Sequence, residues 1–355
     1  MVFSDSSWTS LHSKLHCTIR QRQLFERNQS LLIAVSGGQD SLCLIKLLLD
    51  LQSKWGWHVG IAHCDHRWRI DSKANAHHVE RLAANWGIDF YLETATEAIN
   101  SEAQARDWRY QALNNIAQKH HYSCIITGHT ASDRAETLLY NLIRGTGADG
   151  LQALTWKRSL NVGNPQNHQK RILLVRPLLE ITRTQTGKFC QDFQLPVWED
   201  ETNQNLKYAR NRIRQELLPY LQQNFNPRVE SALAQTAELL QAEVEFLEQT
   251  AQNLWEQIIN EDVLASQGSN EELNQQLSLP LYIKRQLLQK TPIAIQRRVM
   301  RKVLQKVMLT PPNFEHIEKL TALIAAPNRT QTDPFPGGAI AVVKDNLICL
   351  EIFQK

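Results

Sequence analysis

LLIAVSGGQDSLCLIKLL, residues 31–48, is an apolar run that stops at Ser36-Gly37-Gly38-Gln39-Asp40-Ser41 and then resumes at helical spacing. A short apolar run bounded by such a turn reads as a buried strand, Leu31–Ser36, and the continuation reads as a helix, Asp40–Leu51. Two glycines at the junction let the chain turn tightly and let an anion approach the backbone. The amino end of the helix adds unpaired N–H donors and a positive partial charge. Ser36 and Ser41 add hydroxyls. Residues 36–41 therefore read as a phosphate cradle. The bland alternative is a plain turn with Asp40 as helix N-cap. The strand before, the helix after and the two serines weigh against it. No lysine follows the glycines, so this is not the GxxxxGK[ST] loop, and it is not GxGxxG.

Outward from this turn, short apolar runs alternate with helix-length segments. Residues 10–27 read as a polar helix. His58–Cys64, Ile88–Glu93 and Ser123–Gly128 read as strands, and Ser72–Trp86, Ser101–His120 and Ala131–Arg144 as helices. Such alternation predicts crossover connections and an α/β fold with a parallel sheet. Ligands of these sheets sit beyond the carboxyl ends of the strands. Residues 36–41, His63–Arg67 and Gly128–Asp133 all fall there. Residues 145–170 read as a loop, Arg171–Arg176 as a strand and Thr182–Phe193 as a helix. Residues 228–262 hold 8 acidic residues and one basic one, and residues 283–309 hold 8 basic residues and no acidic one. The domain expectation is 1–220 α/β, 228–330 smaller and mainly helical, and 331–355 a terminal β-hairpin turning at Lys344-Asp345-Asn346.

Composition narrows the class. The chain has 355 residues, 42% hydrophobic and 21% charged, and a net charge of +3. A nucleic-acid partner is allowed but not required by that total. The six cysteines are scattered without a CxxC, which argues against a zinc ribbon, a local iron–sulfur motif or a disulfide scaffold. The first residues show no secretory pattern, and no run approaches the ~18 apolar residues of a membrane span. The expected location is cytoplasmic, or the stroma of a plastid. No membrane partner is expected, and a homodimer is allowed.

SGGQDS resembles the SGGxDS signature of the PP-loop, or N-type ATP pyrophosphatase, superfamily. AHCDHRWR (62–69), EAQARDWRYQAL (102–113), TGHTASDRAETLLYNLIRGTGADGL (127–151) and EDETNQNLKYARNRIRQELLPYL (199–221) follow in order. Together they resemble the tRNA(Ile)-lysidine synthetase family over about residues 28–222, and more weakly over QRRVMRKVL. The resemblance implies a PP-loop ATP pyrophosphatase domain that binds ATP and Mg²⁺. It implies that the wobble cytidine of a CAU-anticodon isoleucine tRNA is adenylylated at the carbonyl oxygen on carbon 2. Free L-lysine then attacks that carbon, and AMP leaves.

The resemblance also assigns roles. Ser36, Gly37, Gly38, Gln39, Asp40 and Ser41 hold the ATP phosphates. Asp40 and Asp133 are the metal and electrophile-site candidates, and a carboxylate there suits the lysine ammonium as well. Asp133 also fits a plain first-turn carboxylate. Ser132 stands where many relatives carry an acid, and Arg134 where many carry Gln. Arg106 and Arg109 share a helix face, and one of them, with Arg109 favoured, or Arg210 is a candidate to neutralise charge on the α phosphate, with surface ion pairing as the bland alternative. His63, Asp65, His66, Arg67, His129, Arg212 and Arg214 are candidate substrate or nucleotide contacts. The same residues also fit a solvated loop, a structural histidine and a solvated helix face. The basic run 283–309 suits an RNA backbone, and Trp156, Trp198 and Tyr208 are candidate base-stacking aromatics or core. Three readings compete: the lysine ligase, another PP-loop enzyme such as a tRNA thiolase, and a non-catalytic tRNA-binding module.

Overall fold

The computed structural model describes residues 8–68, 70–97, 99, 101–160, 172–199, 206–259 and 279–352. The chain divides into two compact units at Gln241/Ala242. In the first, β1 (Ser30–Ala34), β2 (His58–Asp65), β3 (Asp89–Thr94), β4 (Cys124–Thr127), β5 (Lys157–Leu160) and β6 (Ile172–Val175) form one sheet in the order β3-β2-β1-β4-β6-β5. All pairs are parallel except β5–β6. The helices are α1 (Ser10–Gln21), α2 (Gln39–Trp55), α3 (Ser72–Trp86), α4 (Glu102–Lys119), α5 (Ala131–Ile143), α6 (Ala148–Leu151), α7 (Arg183–Asp192), α8 (Ala209–Arg212), α9 (Leu218–Asn224) and α10 (Val229–Ile258). A π-helical turn, Ile213–Leu217, joins α8 to α9.

β1 is apolar at consecutive positions because both faces of a parallel sheet are covered. Leu31 and Ile33 enter a core with α1, α2 and α7, while Leu32 enters a second core with Tyr110 and Leu113 of α4. From β1 the chain builds first toward β2 and β3, then toward β4 and β6. The strand order therefore reverses between β1 and β4, and the crevice beyond their carboxyl ends is where such folds bind ligands. Gly128, just past β4, packs against the first turn of α2. A Cβ there would lie 3.0 Å from the Asp40 carbonyl, so the two candidate loops lie in direct contact.

The element expectations of the first unit hold along the parallel strands and differ in two places. The first helix ends at Gln21 rather than 27, where Gln23 and Asn28 take left-handed backbone at φ 48 and φ 57. Residues 145–160, expected as loop, contain α6 and β5. Lys157-Arg158-Ser159-Leu160 has one apolar residue, and its strand exists through antiparallel pairing, Lys157↔Val175 to Leu160↔Ile172. The remainder of that expected loop, 161–170, lies outside the described residues.

In the second unit, residues 283–309 are not one helix. They finish β7 (Leu281–Lys284), form a helical turn Arg285–Gln289 and, after Pro292, the helix Ile293–Val307. The expected hairpin, β8 (Ala339–Lys344) and β9 (Leu347–Ile352), turns through Asp345 at φ 53, and β7 adds a third strand beside β9. Much of the basic run is neutralised within this unit. Glu248 gathers Arg298 at 2.5 Å, Arg301 at 2.7 Å and Lys302 at 3.3 Å, and Glu318 takes Arg297 at 2.6 Å. A count of like charges along a chain overstates the field when the opposite charges arrive from another helix.

Gly60 of β2 lies under Tyr122, and a Cβ there would meet the phenol oxygen at 2.1 Å. Gly60→Ala is expected to cost about 1–3 kcal/mol by overpacking, read as a lower urea midpoint with an unchanged slope. A wild-type midpoint would show that Tyr122 moves aside freely.

Candidate active site

The glycine turn is held from several sides. Gly37 has φ 89, and a Cβ on it would collide with Asn75 Oδ1 at 2.4 Å. Asn75 Nδ2 donates to the Ser36 carbonyl at 2.9 Å, and Trp198 N donates to the Gly37 carbonyl at 2.9 Å. Ser41 Oγ donates to the Gly38 carbonyl at 2.9 Å and accepts from Ser36 N at 3.2 Å. Gly38 is the N-cap of α2 and gives no side-chain cap. The first N–H groups of α2 therefore remain available to an anion, as a phosphate cradle requires.

Asp40 in the first turn of α2 and Asp133 in the first turn of α5 meet on one guanidinium. Arg183 Nε donates to Asp40 Oδ2 at 3.0 Å, and Nη2 donates to Asp133 Oδ1 at 3.1 Å. Its Nη1 lies 3.7 Å from Glu136 Oε1. Arg214 then grips Glu136 with two bonds of 2.6 and 2.8 Å and approaches Asp133 at 3.6 Å. Three carboxylates and two arginines thus interlock. The Thr186 hydroxyl donates to Asp40, and the Thr130 amide and hydroxyl donate to Asp133 at 2.8 Å each. Gln39 faces inward, donating to the Arg183 carbonyl at 2.8 Å. Beside this cluster lies a pocket of about 610 Å³ whose lining includes Ser132, Glu136, Arg183, Lys188, Arg214 and Glu230. Ser132 accepts from Arg183 N at 3.0 Å and donates to Glu230 Oε2 at 2.6 Å. Where an acid was expected, a hydroxyl instead brings a glutamate of α10 to the site.

Burial pushes Asp40 up, and the charge of Asp133 adds to the push; Arg183 and Thr186 only partly offset them. Burial also opposes the Asp133 charge, but Arg183, the His129 ring and Thr130 outweigh it and hold this carboxyl below its usual range. Burial raises Glu136 against the pull of Arg214. An oxygen-only pair of carboxylates already holding a cation suits a hard ion that draws its other ligands from phosphate oxygens. Among the described residues no group of three or more His, Cys, Asp or Glu side chains forms a self-sufficient metal site.

Residues 10–221 match the PP-loop domain family, and residues 284–348 match the TilS substrate binding domain. The chain is 68% identical to tRNA(Ile)-lysidine synthase of Nostoc sp., over 97% of each chain. The chain belongs to the tRNA(Ile)-lysidine synthase family. The Synechocystis sp. member is 47% identical over 96% of this chain and 98% of its own. A chloroplastic member from Zygnema circumcarinatum is 39% identical over 86% of this chain and 78% of its own. Among solved structures, the U34-tRNA thiolase NcsA from Methanococcus maripaludis superposes with a TM-score of 0.53 at 16% identity, covering 65% of this chain and 78% of that one. That likeness shows the fold alone. Family membership favours the lysidine reading over the thiolase alternative.

The other expected site residues scatter around this centre. His63 is buried and bonds the Val35 carbonyl through Nδ1 at 2.8 Å, and burial lowers its pKa. It is a neutral strut between β1 and β2. Asp65 is buried and accepts from Arg67 N at 2.8 Å, and the His66 ring lies tilted against Trp68, centroids 4.9 Å apart. Arg67, at φ 59, is exposed. His129 bonds Thr127 Oγ1 at 2.8 Å. Burial, then Arg176, pushes its pKa down to about 3 despite Asp133. Arg109 is exposed on α4, and its charge reaches His63 and His129. Arg210 lies 3.6 Å from Glu102 and over the Tyr140 ring, away from the carboxylates, and Arg212 is exposed. Trp156 is buried with its Nε1 on Glu238, Trp198 bonds Asp71, and Tyr208 is exposed.

Sequence reasoning passed over Arg183, Glu136 and Thr186. Thr182-x-x-Gln185 is a capping box that sets Arg183 at the start of a helix following a strand. Glu136 is one turn beyond Asp133 on the same helix face. Those two signals were present in the chain. Arg134 is 1% exposed and pairs with Glu238 at 2.6 Å, and Glu238 also takes Arg22 at 2.5 Å and Trp156 Nε1 at 2.7 Å.

Arg183→Met would leave three carboxylates facing one another. The expected cost near pH 7 is roughly 3–5 kcal/mol. The native Asp133–Arg183 attraction acts above the usual aspartate range and is lost as pH falls through the depressed native value. The penalty of the variant should therefore shrink near pH 4 and below, measured by urea unfolding at both pH values. An equal penalty at both would mean that Arg183 acts by packing and not by charge.

Proposed function

We infer that this protein carries out ATP-dependent formation of lysidine on tRNA(Ile). The observation that carries the reading is the convergence of Asp40 and Asp133 on one guanidinium, beside a glycine turn with free helix N–H groups, at the switch point of the sheet. In the reaction proposed here, oxygen 2 of the wobble cytidine of a CAU-anticodon tRNA bonds to the α phosphorus of ATP, and the bond to pyrophosphate breaks. The ε-amine of free L-lysine then bonds to carbon 2, a proton leaves the nitrogen, and AMP departs with its oxygen. The backbone of residues 36–41 takes the departing pyrophosphate. Asp40 and Asp133 would hold Mg²⁺, which supplies charge neutralisation to phosphate oxygens when bound.

The pocket beside the cluster suits lysine in two ways. Glu136 and Glu230 present carboxylates to an ammonium, while Lys188 and Arg183 present cations to a carboxylate. A buried carboxylate beside the nucleophile also gives its proton somewhere to go. Arg109, exposed near the middle of α4, and Arg210 are the proposed cations for the α phosphate. His63, Asp65, His66, Arg67, His129, Arg212 and Arg214 are proposed to shape the nucleotide and substrate environment. His63 and Arg214 do so by holding other groups in place. The mainly helical part expected at residues 228–330, with the terminal hairpin, is proposed to contact the tRNA. The reaction is proposed to take place in the cytoplasm, or in a plastid stroma. No helix among the described residues is long and apolar enough to cross a membrane.

The test combines protein, Mg²⁺-ATP, radiolabelled lysine and a CAU-anticodon isoleucine tRNA transcript, and counts label in RNA. Label is expected, and Asp40→Ala or a wobble uridine should abolish it. Glu136→Gln should raise KM for lysine about tenfold or more while lysine-independent adenylylation persists. Absence of label from folded, ATP-binding protein would move the reading to a different nucleophile.

A further inference from the structure

Tyr110 of α4 is 9% exposed and packs into the core on the α4 side of the sheet. Three arginines converge on it. Arg158 Cζ lies 4.6 Å from its ring centre and Arg106 Cζ 5.8 Å, and the charge of Arg176 lies close enough to pull the phenol's pKa down. Register explains the meeting. Arg158 sits opposite Leu174, which is buried against the α4 side, and Arg176 follows two residues later on the same face. Arg106 reaches over from α4, four residues before Tyr110.

The charge balance there is unusual. Arg176 is 2% exposed, and its Nη1 donates to the Thr155 carbonyl at 2.6 Å. Among the described residues it has no carboxylate partner, nor do Arg106 and Arg158. The Nε–H groups of Arg158 and Arg176 are both buried and meet no acceptor there. A buried cation is costly without a counter-charge. Elsewhere in this unit, the buried Arg134 has Glu238, and the half-buried Arg214 has Glu136.

We propose that Arg106, Arg158 and Arg176, gathered around Tyr110 at the carboxyl ends of β4 and β6, form a phosphate-binding subsite additional to the glycine turn. Exposed Arg106 and half-buried Arg158 form its rim, and Arg176 is its charged floor. The ligand is a phosphate group, supplied either by the nucleotide or by the RNA backbone next to the reacting base. The guanidinium fork matches phosphate oxygens in both cases. The subsite rests on the reading of this chain as an ATP- and RNA-using enzyme, yet its test needs no turnover.

Full-length protein carrying Arg106→Gln, Arg158→Gln or both is titrated with Mg²⁺-ATP and, separately, with a CAU anticodon stem-loop at several salt concentrations. A loss of about tenfold or more in one titration is expected. Loss for RNA alone, with the log–log salt slope reduced by ~0.7 per contact removed, identifies the backbone as the source. Loss for ATP alone identifies the nucleotide. Arg158→Lys should recover part of the affinity. If the double variant melts early, Arg106→Gln on the exposed side of α4 carries the same comparison. Wild-type affinity for both ligands in folded variants overturns the subsite. Lysine incorporation by the unaltered protein stands or falls separately.

Discussion

The ion pair network around Arg183 sets the terms for everything near the crevice. Asp40 comes from the helix after β1 and Asp133 from the helix after β4, and sheet topology brings their amino ends together. Two carboxylates in such closeness repel, and burial adds to the cost. Arg183, from the helix after β6, makes the arrangement tolerable by touching both. Thr186 and Thr130 then saturate the remaining oxygens. The result is a site whose acids are ordered before any ligand arrives. An incoming cation, whether a metal or an ammonium, has to compete with a guanidinium already in place.

The charge pattern of the first unit falls into two kinds of arginine. Arg134, Arg183 and Arg214 are answered by carboxylates and act as structural clamps around α5. Arg106, Arg158 and Arg176 face a phenol in place of an acid. Distinguishing the two kinds requires distances, because all six look alike as letters. The second unit makes the same point, where Glu248 silences three cations that read in sequence as open charge.

Much of the parallel sheet could be read from the chain. β1 and α2 announce themselves because a fully buried strand needs unbroken apolar residues and the turn needs glycine at positive φ. β5 was hidden because an edge strand with one apolar residue draws its identity from its partner. The local parts of the site were legible too: Ser36–Ser41 and Asp133 are set by their own flanking residues. Arg183 was not, since what matters about it is which remote carboxylates it meets. Arg210 and Arg214 differ for the same reason. Adjacent in the sequence run, they point one to Glu102 and Tyr140 and the other to Glu136. The tryptophans at 156 and 198 serve hydrogen bonds inside the fold, which aromatic composition alone does not reveal.

The Arg134–Glu238 pair constrains how this protein can change over generations. Arg134 lies one residue past Asp133, almost wholly enclosed, and its ion-pair partner Glu238 also holds Arg22 and Trp156. Replacing either partner by itself strands a charge next to the carboxylate cluster. A neutral side chain at 134 therefore requires a matching change on α10. Two residues more than a hundred positions apart along the chain are electrostatically one unit.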